Sequence, residues 1–163
     1  MSRIEIKRGF TVIEVVLVLA IAGLIFLMVF IALPSLQRQS RDTQRRRDME
    51  TVISAIKSYQ SNNRGALPDG NFQVWRDKLN KYLPNNFVSP SGGQYNLVVR
   101  ECISHVGANC NTNEGNMVFD ENNYIYIVKT AKCDGSRIIK SSNGRKVVVA
   151  HKLEGGGIFC GET

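Results

Sequence analysis

The chain has 163 residues, a formal charge of +7 and four cysteines. That length suits one membrane segment plus one small domain and excludes a second sizeable core. The positive balance permits contact with anionic lipid or DNA without arguing for either, and nucleic acid is not expected as a specific ligand. No Gly-rich phosphate loop, nucleophile elbow or H-E-x-x-H motif occurs, so neither catalysis, a cofactor nor a metal centre is expected.

Residues 1–9 form a short basic leader containing Arg3, Lys7 and Arg8. Residues 10–33 follow as an apolar run in which Glu14 is the only ionisable side chain. As a helix this run exceeds the roughly 30 Å hydrocarbon core of a bilayer. A secretory signal peptide fits poorly. The A-x-A site at Ala20-Ile21-Ala22 would leave residues 23–33 as an exposed apolar end, and the run is longer than a signal core of about 7–15 residues. A plain membrane anchor fits the length but leaves Glu14 unexplained, because a carboxylate inside an apolar span is expensive unless something compensates it.

Cleavage between Gly9 and Phe10 would supply the compensation. Phe10 would gain a free amine with an ordinary pKa of about 8, cationic at neutral pH. Copies packed side by side with an axial offset can then pair the Phe10 amine of one with Glu14 of the next. A pair within one chain is also open, since the two residues lie one helical turn apart.

The stretch "KRGFTVIEVVLVLAIAGLI", with Pro34 eleven residues beyond Gly23, resembles the N-terminus of the type IV pilins and their relatives. The resemblance covers roughly the first quarter of the chain. It implies cleavage after Gly9 by a prepilin peptidase, methylation of the Phe10 amine, and a role for Glu14 in subunit registration. It further implies a single-pass protein of the cytoplasmic (inner) membrane, in contact with lipid and the pilus assembly machinery. That protein would later polymerise with itself into an extracellular filament used for adhesion, twitching motility or DNA uptake. A pseudopilin of a type II secretion or competence system shares the same motif. A monomeric membrane-anchored binding module is the alternative of a different class, and it leaves both the leader and Glu14 without a use.

The charges flanking the apolar run point the other way. Arg3, Lys7 and Arg8 precede it, but Arg38, Arg41, Arg45, Arg46 and Arg47 follow it, and by the positive-inside rule the following domain would stay in the cytoplasm. The cysteines oppose that count. Cys102, Cys110, Cys133 and Cys160 all lie beyond the run, and an even number on one side of an anchor favours disulfides in an oxidising compartment. Three pairings are possible. Cys133 with Cys160 and Cys102 with Cys110 are expected, because local pairs are simplest and an untethered Gly-rich tail would fray.

Residues 34–62 read as an amphipathic continuation of the helix, kinked or opened near residues 30–33 because Pro34 removes a backbone donor. Residues 37–48 contain no apolar side chain and suit an exposed helix. Within them Arg45-Arg46-Arg47 reads as a solvated face offset by Asp42, Asp48 and Glu50. Met49, Val52, Ile53, Ile56 and Tyr59 then form one helical stripe, expected to pack on a sheet. Asn62, Asn63 and Gly65 end it.

Residues 63–163 are read as the globular domain. Residues 63–93 form a connector in which Trp75, Leu79, Tyr82 and Leu83 have helical spacing. Residues 94–163 carry strand signals at 95–100, 117–119, 124–129, 137–140, 146–153 and 158–160, with turns at Asp134-Gly135 and Asn143-Gly144. "FDENN" at 119–123 lacks calcium-loop spacing and reads as a polar turn. His105 and His151 stand alone, as structural or exposed residues, and Gly155, Gly156 and Gly157 read as a loop that lets the chain reach Cys160. The expected fold is α+β: a long N-terminal helix, membrane-spanning in its first half and amphipathic in its second, on an antiparallel sheet. That is the pilin architecture.

Overall fold

The computed structural model describes residues 9–103, 110–112, 115–116, 119 and 123–163. Leader residues 1–8, His105, the first two residues of the expected strand at 117–119, and residues 120–122 of the polar turn lie outside this set. The chain divides into two compact units, one ending at Gln37 and the other spanning Arg38–Thr163. Helix α1, Val12–Asn62, contributes to both and continues through Pro34.

In the first unit, α1 is apolar on every side. Each large apolar side chain from Val12 to Leu36 is exposed, from 45 % at Val29 to 81 % at Val12. A helix that is hydrophobic all round belongs in a membrane or inside a larger apolar assembly. It is long and apolar enough to cross a membrane.

In the second unit, the remainder of α1 has one buried face. Met49, Val52, Ile53, Ala55 and Ile56 are buried, and Tyr59 is half-buried at the end of the same stripe. The helix stops where Asn63 N–H and Gly65 N–H both bond to the Gln60 carbonyl, at 3.2 and 2.7 Å. Gly65, at φ 80°, provides the left-handed turn such an ending needs. Helix α2, Phe72–Leu79, starts on Asn71, whose side chain accepts from Val74 N–H, and it buries Trp75 and Leu79.

Strands β1 (Asn96–Glu101), β4 (Tyr124–Lys129), β7 (Val147–Lys152) and β8 (Ile158–Glu162) form one sheet in the order β1-β4-β7-β8. Between β1 and β4 lie β2 (Asn111–Thr112) and β3 (Gly115–Asn116), which pair with each other. Strands β5 (Ala131–Asp134) and β6 (Arg137–Lys140) form a separate hairpin across Gly135, at φ 61°. The β4–β7 and β7–β8 pairs are antiparallel, whereas β1 runs parallel to β4, Asn96 opposite Tyr124. The sheet is therefore mixed, not wholly antiparallel as expected. A parallel neighbour needs a long connection, and β1 ends at Glu101 while β4 begins only at Tyr124. Strand β5 had no sequence signal of its own, because A-K-C-D lacks both alternation and β-branched residues.

The two central strands are covered on both faces. Ile125, Ile127, Val147 and Val149 pack with α1, Trp75 and Leu79. Val128, Val148 and Ala150 face the other way, against Cys102, Cys110, Ala131 and Ile138. Two-sided cover explains why β7 reads as the continuous run V-V-V-A-H instead of an alternating strand. Disulfides join Cys102 to Cys110 and Cys133 to Cys160. At β8 the helix comes so close that a Cβ on Gly161 would lie 2.4 Å from Ile53 Cδ1.

Candidate functional site

The first residues described are Gly9 and Phe10, which precede the helix, with Phe10 89 % exposed. Thr11 sits immediately before α1, and its backbone N–H and Oγ1 both donate to Glu14 Oε2, at 2.9 and 2.8 Å. A carboxylate three residues into a helix that reaches back to the N-cap residue is one arm of a capping box. It also places negative charge at the positive end of the helix dipole. Glu14 thus has a partner in its own chain, and that partner is Thr11. In the uncleaved chain Phe10 nitrogen is a peptide nitrogen, with no charge to offer. The signal was present in the sequence as T-x-x-E ahead of an apolar run. Both bonds use the same oxygen, and Oε1 makes no hydrogen bond among the described residues.

A second polar constellation lies inside the 38–163 unit, where α1 meets the β7–β8 turn and the chain around Ser91. Arg45 is fully buried. Its guanidinium donates to Asp42 Oδ1 at 3.1 Å, to Ser91 Oγ and to Glu154 Oε1. Arg41 grips the same carboxylate, with Nε and Nη2 donating to Glu154 Oε2 at 2.9 and 2.6 Å. Hydrogen bonding to Arg41, with Arg45 adding to it, holds the Glu154 pKa at about 2 against the opposing effect of burial.

Asp42 is the pivot on the helix side. Its carboxylate accepts the backbone N–H groups of Glu154 and Gly155 at 2.8 and 2.7 Å. A Cβ on Gly155 would stand 3.0 Å from Asp42 Oδ2, so the triple-glycine turn wraps a carboxylate that larger side chains would crowd. This revises two expectations. Residues 37–48 are not wholly exposed, since Asp42 and Arg45 are buried. Of the Arg45-Arg46-Arg47 run, only Arg46 and Arg47 face solvent. The error has a physical source: Asp42 and Arg45 fall at i−7 and i−4 from Met49, on the core stripe, but a stripe defined by apolar residues cannot include charges whose partners lie over 100 residues away.

Further along the same face, the Tyr95 hydroxyl donates to Asp48 Oδ2 at 2.7 Å. Burial raises the pKa of Asp48. Burial, together with the bond to Asp48, raises that of Tyr95. His151 is buried, its Nδ1 2.9 Å from the Tyr124 carbonyl and its ring edge-on to Tyr95, and burial lowers its pKa. With the carbonyl fixing the proton on Nδ1, the neutral ring is a structural member of the network. Among the described residues no three of His, Cys, Asp and Glu gather as a metal site.

These charges tie elements of the 38–163 unit together. What the structure defines is a class: an α+β domain with a mostly antiparallel sheet, two disulfides, and an N-terminal apolar helix able to span a membrane. Comparison with protein-family models, with curated proteins and with solved structures finds no match.

Proposed function

We propose that the chain is a structural subunit of a type IV pilus. A prepilin peptidase cuts between Gly9 and Phe10 and methylates the Phe10 amine. The processed protein waits as a single-pass species in the cytoplasmic membrane until the assembly machinery polymerises it into an extracellular filament. The observation that carries this reading is the first part of α1. It exposes apolar surface on every side and holds one carboxylate, five residues beyond the proposed cut. Lipid can cover such a surface before assembly, and the same helices of neighbouring copies can cover it afterwards. Two disulfides beyond the apolar run fit a domain that works in an oxidising compartment.

In the assembled state the cleaved Phe10 amine pairs with Glu14 of a neighbour, through the carboxylate oxygen that Thr11 leaves open. Glu14→Ala removes that anion and strands the amine in an apolar bundle, where a lone charge is poorly tolerated. Filaments should then be lost while processed monomer accumulates in the membrane. Glu14→Asp keeps the charge with shorter reach and should give an intermediate yield. The measurement is filament yield at matched monomer levels, and wild-type yield from Glu14→Ala would overturn the registration role.

A further inference from the structure

A cleft of about 290 Å³ opens between the C-terminal end of α2, the chain that follows it, and the approach to β1. Its rim carries Arg76, Asn80, Asn85 and Gln94, and Leu83 and Phe87 contribute apolar walls. The Phe87 ring rests on Tyr95, a buried residue, with centroids 5.0 Å apart, so the aromatic wall is fixed in place. Arg76 donates to Gln94 Oε1 at 2.8 Å, and no carboxylate pairs with it among the described residues. The Asn80 and Asn85 side-chain amides are exposed and make no hydrogen bond within that set.

We propose that this cleft binds a carboxylated sugar, such as a uronic acid residue of a surface polysaccharide. The chemistry follows from the lining. An unneutralised guanidinium offers a planar fork that matches a carboxylate. The uncommitted amides each present a donor pair and an acceptor, the set that recognises vicinal hydroxyls. A pyranose has an apolar C–H face, and Phe87 with Leu83 gives that face somewhere to lie. The lining is mainly polar, with apolar side chains among the amides and the guanidinium, a balance that suits a hydroxyl-rich ligand with one apolar face. A neutral apolar ligand would leave Arg76 unused, and a simple anion would leave the amides and the ring unused. The cleft lies wholly within the 38–163 unit, so this inference stands whether or not the chain polymerises.

The test uses the full-length chain in detergent micelles, with a glucuronate-containing tetrasaccharide and its carboxyl-reduced counterpart as probes. Binding is read by saturation-transfer NMR and titration. The acidic form should bind at least about tenfold more tightly than the reduced form. Arg76→Gln should abolish that preference, Arg76→Lys should restore it in part, and Asn85→Ala should weaken both probes. Unchanged thermal melting of each variant separates a lost contact from a lost fold. No saturation transfer to either probe, equal affinity for both, or a preference that survives Arg76→Gln would overturn the proposal. Those outcomes would leave Arg76–Gln94 as a strut between α2 and the chain leading into β1.

Discussion

Between Val12 and Leu36, helix α1 shows every large apolar side chain to its surroundings, whereas between Asp42 and Ile56 the same helix buries a face that includes a full guanidinium. Both stretches carry charge beside apolar side chains, and they answer it differently. Among the described residues Glu14 is met by Thr11, three residues away, on one of two oxygens. Arg45 is met by Asp42, Ser91 and Glu154, the last 109 residues away. The second stretch is completed by its own fold. The first leaves its apolar side chains exposed among the described residues.

The largest expected effect comes from separating the two. Removing residues 1–37 should convert a detergent-requiring protein into a water-soluble one that melts cooperatively, because the remaining unit buries its own core. Sedimentation and calorimetry would show it, and an aggregated or molten product would break the comparison. Next is Arg45→Met, which removes the buried guanidinium while Arg41 still holds Glu154 and two backbone N–H groups still hold Asp42, and should cost roughly 1–3 kcal/mol by denaturant titration. Arg46→Met, at the exposed neighbour, should stay within about 0.5 kcal/mol.

Loss of the Cys133–Cys160 bond, which spans 27 residues, should cost about 3.5 kcal/mol in the chain-entropy model, against about 2.5 kcal/mol for Cys102–Cys110, which spans 8. Paired Cys→Ser variants measured under identical conditions would test that order. A reversed ranking would show that strain or residual structure, and not loop length, dominates.

The smallest effect is on pH dependence. His151 faces the Tyr124 carbonyl and lies near Arg45, Asp42 and Asp48, and its pKa is below the ordinary 6.5. The unfolded chain therefore binds a proton there before the folded one does, and stability should fall as pH drops below about 6.5. Glu154 acts in a lower window. Its contribution is complete above its ordinary value of 4.5 and is lost as pH falls toward about 2. Equilibrium unfolding from pH 7 downward should show both phases, and His151→Phe should flatten only the upper one.

Much of this fold could be read from local pattern. The Met49–Val52–Ile53–Ile56 stripe, the Trp75–Leu79 pair, and the β-branched runs of β4 and β7 each declare their element within a few residues. The capping box at Thr11 and Glu14 is equally local, spelled by T-x-x-E ahead of the apolar run. Three features were not legible. The parallel β1–β4 pairing depends on a crossover whose composition carries no direction. Strand β5 is held by its hairpin partner and by Cys133, not by propensity. The burial of Asp42 and Arg45 depends on Glu154 and on a glycine turn over 100 residues away, so the charges that read as solvent-facing are internal.

The most direct measurement is the N-terminal residue of the protein recovered from sheared extracellular filaments, identified by mass spectrometry. Chains that begin at Phe10, with a methyl group on the amine and no leader, are the expected result. Filaments built from chains that still begin at Met1, or a protein confined to the membrane with no filament fraction, would contradict it.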